Sequence, residues 1–293
     1  MLTEKRNPKT LNIDQLPTLE MLRIMNEEDA IVPLAIREVL PQIAEAVDLI
    51  VTQLHAGGHI IYAGAGTSGR LGVLDAVECV PTFGTPPELF QALIAGGSPA
   101  LTRSLEGVED RPDQGRQDFL SLNPTPQDVV VGIAASGRTP YVFGVLHAAN
   151  TIGAKTIAIS CNTPAPILDL AQIKIAVLVG AEVISGSTRL KAGTAQKLVL
   201  NMLSTGSMIK YGKVYGNLMV DVQIANQKLH QRAVGIVVMV TGVDETRAEE
   251  LIAKSKGNVK AAILMGILGI SFEDSLIYLK NTQGTLHQIL HSE

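Results

Sequence analysis

The period of the apolar positions changes twice along the chain and divides it into three regions. Over the first region Ile36, Val39, Leu40, Ile43, Val47 and Ile50 recur three or four residues apart, one face of a helix. Residues 1–55 are therefore expected to form a helical N-terminal segment. From residue 56 the pattern becomes short runs rich in β-branched residues, at 59–63, 89–95, 129–134, 156–160 and 173–179. Apolar runs of that length without alternation are strands covered on both faces. Between them 71–79, 112–120 and 141–152 have helical spacing, as does 194–211 after the last run, and Gly153 supplies a helix stop. Five buried strands alternating with helices predict an α/β fold with a doubly wound, five-stranded parallel sheet in a domain over 56–222. Beyond it, 223–293 is expected to be a small C-terminal helical domain. There Asp244 is placed to cap an acidic helical start, and Gly257-Asn258 separates it from a helix over 259–270.

Composition narrows the classes of function. With 46% hydrophobic and 18% charged residues the chain has the makeup of a folded protein rather than a disordered one. Five Phe, five Tyr and no Trp leave few platforms for stacking bases, and a formal charge of −4 without a basic block argues against nucleic acid as a partner. The longest apolar stretches, 233–243 and 261–270, fall short of the roughly 20 residues that span a bilayer, so no membrane partner is expected. Residues 1–8 contain no apolar signal core, which makes the cytoplasm the expected location. Cys79 and Cys161 lie apart and read as reduced packing residues. His287 and His291 share a helical spacing but lack a third ligand, and Gly57-Gly58 interrupts the similar pair His55 and His59, so no metal site is expected.

The chemistry is expected at strand carboxyl ends, where open α/β sheets bind their ligands. One such end reads Ile61-Tyr62-Ala63-Gly64-Ala65-Gly66-Thr67-Ser68-Gly69-Arg70. Glycine there lets the backbone approach an anion at a helix N-terminus, while Thr67 and Ser68 add hydroxyls. Gly64, Gly66 and Gly69 also fit a dinucleotide fingerprint. That fingerprint requires a carboxylate at the end of the next strand, which instead reads Ile94-Ala95-Gly96-Gly97-Ser98, with Glu88 at the strand's beginning. A sugar phosphate is the better fit. A second end, Gly132-Ile133-Ala134-Ala135-Ser136-Gly137-Arg138-Thr139-Pro140, repeats the arrangement. Ser136 and Thr139 can serve as helix caps, as anion ligands, or as both, since the two roles use the same free N–H groups.

Gly66-Thr67-Ser68-Gly69-Arg70 followed by Ser136-Gly137-Arg138-Thr139 resembles the SIS (sugar isomerase) family, which binds phosphosugars. Nearly the whole chain is similar to one of its branches, the N-acetylmuramic acid 6-phosphate etherase family. That similarity is carried by Thr3-Glu4-Lys5-Arg6-Asn7-Pro8, Leu74-Asp75-Ala76-Val77-Glu78-Cys79-Val80-Pro81-Thr82-Phe83-Gly84 and Gly107-Val108-Glu109-Asp110. Glu182-Val183-Ile184-Ser185-Gly186-Ser187-Thr188-Arg189-Leu190-Lys191-Ala192-Gly193-Thr194 and Tyr215-Gly216-Asn217-Leu218-Met219-Val220-Asp221-Val222 complete it. The resemblance implies cleavage of a D-lactyl ether to N-acetylglucosamine 6-phosphate and D-lactate by a metal-free homodimer, with Glu78 as proton donor and Glu109 as the second acid.

The substrate's own chemistry suits two carboxyls. In the open-chain sugar the ether carbon C3 is β to the C1 aldehyde, so removal of the C2 proton lets lactate leave and water add back, without a cofactor. One group must take a proton and another give one. Glu78, between Val77 and Cys79 on an apolar helix, is expected to be desolvated and so held in its acid form. Glu109 is left as base at C2 or activator of water. Taken alone, either residue would more commonly be a capping or salt-bridge residue. Ser187, Thr188 and Lys191 either close the sugar site, from this or a neighbouring subunit, or cap the following helix, and Glu182 is a further candidate acid. Two other functions share these loops: a phosphosugar isomerase, and a non-catalytic phosphosugar sensor.

Overall fold

A computed structural model describes residues 1–222, 224 and 226–291. The chain divides into two compact units, residues 1–77 with 87–204, and residues 78–86 with 205–293. The boundary expected at 222/223 abuts residue 223, which lies outside the described residues.

In the first unit the N-terminal region forms α1 (Thr18–Asp29), α2 (Ile31–Arg37) and α3 (Leu40–His55), the last with Ile43, Val47, Ile50 and Leu54 buried along one stripe. The sheet consists of β1 (Ile60–Gly64), β2 (Phe90–Ile94), β3 (Val129–Ile133), β4 (Lys155–Ser160) and β5 (Ile173–Ala176). All neighbours are parallel, in the order β2-β1-β3-β4-β5. Every residue of β1 and β3 is buried, which explains their uninterrupted apolar sequence. The chain crosses to one side after β1 and to the other before β3, so these strands flank the switch point where such sheets open a crevice. Register brings the strand ends level, Gly64 pairing with both Ile94 and Ile133.

Helices α4 (Gly66–Phe83), α5 (Pro99–Thr102), α6 (Pro112–Ser121), α7 (Pro140–Ile152) and α8 (Lys191–Lys210) follow or connect the strands. Phe119, Val142, Val145, Leu146 and Ile167 pack with strand residues Val130 and Ala158 in the core on one side of the sheet. Gly153 ends α7 in the left-handed conformation, φ +83°. The expected α/β architecture is thus present, with shifted bounds. The helix expected over 71–79 begins at Gly66, directly on the glycine turn, and the last strand stops at Ala176 rather than residue 179.

The second unit contains a short hairpin, β6 (Val214–Tyr215) and β7 (Leu218–Met219), and helices α9 (Gln227–Thr241), α10 (Glu245–Lys254), α11 (Val259–Leu268), α12 (Phe272–Asn281) and α13 (Leu286–Leu290). Asn226, Asp244, Asn258 and Ser271 cap α9 to α12, each side chain accepting from an N–H three residues on. Val237, Leu251, Ile263 and Leu264 form its core. Among the described residues no single helix is long and apolar enough to cross a membrane, and no cluster of three His, Cys, Asp or Glu is placed to hold a metal ion.

Candidate active site

The three glycines of the first turn have different jobs. A Cβ on Gly64 would lie 2.7 Å from the Gly69 nitrogen, and one on Gly69 would lie 2.8 Å from the Gly64 carbonyl oxygen. Their absence lets α4 start immediately above β1. Gly66, at φ +53°, has no heavy atom within 4 Å of its missing Cβ and faces open space. The first N–H groups of α4 have no partners within the helix and create a positive end there. In the second turn Gly137, at φ +68°, is buried, and a Cβ on it would come within 2.2 Å of the Ala165 side chain.

Both turns line one cavity of about 290 Å³, which takes in Gly66, Thr67, Ser68, Ser136, Thr139 and Glu109. Glu4, Arg70, Arg103, Ser104, Glu106 and Thr188 complete its polar wall. A cavity of about 680 Å³ beside β2 contains neither turn; chemistry rather than size picks out the smaller one. Ser136 Oγ accepts from the Arg138 N–H at 3.1 Å, which leaves its own proton free for an anion. Thr139 precedes α7 and makes no side-chain cap bond. Ser68 differs: it is nearly buried, and its Oγ donates to Gln196 Oε1 at 2.9 Å. Gln196 Nε2 is buried, with no hydrogen-bond partner among the described residues. Rotating that amide by half a turn would make Nε2 the donor to Ser68 and release the serine proton toward the cavity.

The segment between α5 and α6 is fastened at both ends to the helices that rise from the two turns. Arg70, in the first turns of α4, donates from Nε to the Leu101 carbonyl at 3.2 Å and from Nη2 to the Arg103 carbonyl at 2.9 Å. At the other end the Tyr141 N–H, at the start of α7, donates to the Glu109 carbonyl at 2.9 Å. Glu109 is thereby held over the crevice.

Glu4 reaches the cavity because the chain's beginning is keyed into the sheet's end. Asn162, 1% exposed, accepts from the Leu2 and Thr3 N–H groups and donates to Thr3 Oγ1 and to the Ala135 carbonyl. The Thr3–Pro8 motif signalled this segment in the sequence, but nothing local there reveals that Glu4 lands beside Gly186. Arg103 and Glu106 were likewise invisible as site residues, since the fold over residues 99–121 decides their position.

Several expected ligands are placed elsewhere. Lys191 is 1% exposed and its Nζ is paired with Glu28 at 2.6 Å, so it has no free charge for a sugar. Lys9, at 3.1 Å, and Asn7, at 2.8 Å, also hold Glu28. Burial pushes the Glu28 carboxyl upward, but Lys191, Lys9 and Asn7 outweigh that and hold it below the ordinary range. Glu182, fully buried, accepts from the Lys191 and Ala192 N–H groups and caps α8. Desolvation raises its pKa, against those two hydrogen bonds. Burial, with the charge of Glu182, pushes the Cys161 thiol up to about 12, an inert thiol. Ser187, Gly137 and exposed Arg138 are outside the cavity lining, where Thr188 stands instead. Glu78 is also outside it. The burial expected for Glu78 is absent: its side chain is exposed, as are those of Leu74 and Val77 that precede it on α4.

Residues 42–150 match the glucokinase regulatory protein N-terminal SIS domain, and residues 216–264 match the C-terminal lid domain of glucokinase regulatory protein. The chain is 55% identical over 290 residues to an N-acetylmuramic acid 6-phosphate etherase of Pectobacterium atrosepticum, covering 99% of this chain and 96% of that one. It is 53% identical over 293 residues to one of Vibrio vulnificus, covering 100% and 98%. In three dimensions it is similar to a putative phosphosugar isomerase involved in capsule formation from Bacteroides fragilis, with a TM-score of 0.52 and 21% identity over 69% of this chain and 95% of the other. At that identity the likeness is one of fold.

Proposed function

We propose a reaction path from the premise that this chain belongs to the N-acetylmuramic acid 6-phosphate etherase family, to which it is more than half identical along its length. It is an enzyme that breaks a carbon–oxygen ether bond. Its substrate is N-acetylmuramic acid 6-phosphate and its products are N-acetylglucosamine 6-phosphate and D-lactate, a step of cell-wall amino-sugar recycling.

The observation that carries the path is the cavity that gathers both hydroxyl-bearing turns and Glu109. The C6 phosphate lies against Gly66, Thr67, Ser68, Ser136 and Thr139, where free N–H groups and hydroxyls meet the positive ends of α4 and α7. A base takes the C2 proton of the open-chain sugar. The electron pair forms the C2–C3 double bond as the C3–O bond breaks, and an acid protonates the departing lactate oxygen. Water then adds at C3 and a proton returns to C2. The class is that of a carbon–oxygen lyase. We assign Glu109 to the base, because its segment is anchored over the crevice by Arg70 and Tyr141.

Glu78 is assigned the acid role across a subunit boundary. It lies twelve residues beyond Gly66 on α4, about 18 Å along the axis at 1.5 Å per residue, too far to serve a sugar held at its own helix start. Leu74 and Val77 beside it are 51% and 60% exposed, an apolar face of the kind that partners cover. We therefore propose a homodimer in which each chain's Glu78 serves the other's cavity. A charged phosphosugar does not cross a bilayer unaided, which supports the cytoplasm as location.

The test is incubation of the purified protein with N-acetylmuramic acid 6-phosphate in ¹⁸O-water. D-lactate release with label at sugar C3 is expected; label in lactate instead would overturn the elimination path. Isomerised sugar without lactate would mark an isomerase, and binding without turnover a sensor.

A further inference from the structure

The substrate has two anionic groups, and the turns account for only one. We propose that Arg103 binds the lactyl carboxylate of the leaving group and so distinguishes the ether substrate from plain sugar phosphates. The proposal rests on the etherase reading. Of the two arginines lining the cavity, Arg70 donates to the carbonyls of Leu101 and Arg103 and is a structural tie. Lys191 and Lys9 are paired with Glu28. Arg103 is exposed to the cavity, and among the described residues its guanidinium has no carboxylate partner.

Three carboxylates, Glu4, Glu106 and Glu109, line the same space, so an incoming carboxylate needs a cation to offset their repulsion. A guanidinium presents paired N–H donors that match a carboxylate's two oxygens. Its position fits the reaction. Arg103 and Glu109 stand at the two ends of one segment whose carbonyls are held by Arg70 of α4 and by the N–H of Tyr141 of α7. A phosphate gripped between those helix starts leaves the rest of the sugar facing that segment. Holding the lactyl carboxylate at Arg103 would bring the C2–C3 bond toward Glu109, a use of remote binding to orient the reacting bond.

The experiment compares wild type with Arg103→Ala and Arg103→Lys on N-acetylmuramic acid 6-phosphate and on its lactyl carboxamide analogue, with N-acetylglucosamine 6-phosphate as competing ligand. Arg103→Ala should lower kcat/KM on the carboxylate substrate about 10- to 100-fold, the range of a charge-assisted bond. The carboxamide rate and the inhibition constant of N-acetylglucosamine 6-phosphate should be unchanged, and Arg103→Lys should recover part of the loss. An equal loss on both substrates, or weaker inhibition by the lactyl-free sugar, would overturn the proposal by assigning Arg103 to the phosphate or to the fold. Unaltered preference for the carboxylate would do the same. Absence of lactate release by wild type would instead count against the etherase reading, and calorimetric binding of the two sugars would then still read the Arg103 preference.

Discussion

Glu28 and Glu109 are both glutamates of the first unit, each in a group that also contains basic side chains, and their surroundings differ. Around Glu28 every charge is answered inside the protein: Lys191 and Lys9 pair with it, Asn7 donates to it, and the whole group is closed to solvent except for Lys9. Around Glu109 the side chains are left open to a cavity, while backbone carbonyls, not carboxylates, tie the segment down. The same residue types thus lock the fold in one place and wait for a ligand in the other. A charge that is buried and paired is structural; one held in place through the backbone, with its side chain free, is available for chemistry.

The largest effect should come from the open group. Glu109→Gln is expected to lower turnover about 10²- to 10⁴-fold, the usual size of lost general acid–base catalysis, while thermal stability and phosphosugar affinity remain near wild type. Glu78→Gln should behave alike, and mixing the two inactive variants under subunit exchange should restore D-lactate release if each site draws its acids from two chains. A mixture that stays inactive would break the dimer assignment while leaving Glu109 standing.

The closed group should respond in the opposite way. Lys191→Ala leaves the Glu28 carboxylate buried with only Lys9 and Asn7, and breaking a buried pair from one side costs about 3–5 kcal/mol. Urea denaturation should register that loss. Affinity for N-acetylglucosamine 6-phosphate, measured where the variant is still folded, should change little. A variant of normal stability that binds the sugar poorly would return Lys191 to the site.

The two turns offer a finer version of the same contrast. Ser136→Ala should weaken phosphosugar binding by about 1.5–3 kcal/mol, a charge-assisted hydrogen bond, without loss of stability. Ser68→Ala should reduce stability as well, by about 1–3 kcal/mol, because it strands the buried Gln196 amide. Equal stability of both variants would remove the distinction between them.

What the sequence revealed follows the same division. The five strands and the two turns were legible because burial on both faces forces continuous apolar runs, and because glycines and hydroxyls mark the turns locally. The first turn of α4 was missed, since Gly66 and Gly69 disfavour helix and only the close packing of Gly69 against Gly64 compensates. Lys191 was misread because its partner Glu28 is 163 residues away in sequence. Nothing near either residue announces the pairing. Glu4 and Arg103 escaped for the converse reason: their neighbours in the chain are ordinary, and the fold alone brings them to the cavity. Ser187 and Thr188 differ by one position, and turn geometry, not composition, selects the second.

The smallest expected effect is a pH dependence that isolates Glu28. Its folded pKa lies below the ordinary 4.5, so its contribution to stability is fully present above that value and is lost as pH falls through the lower folded one. Glu182 has the opposite sign: its pKa is raised by burial, so its ionisation opposes folding at neutral pH and acid relieves the penalty. Subtracting the stability of Glu28→Gln from that of wild type cancels Glu182, which both proteins share. The difference should be flat from pH 7 down to about pH 5 and shrink below 4.5. A difference that grew with acid would mean that Glu28 is held protonated by its burial, and the reading of its cluster as a closed set of satisfied charges would have to be abandoned.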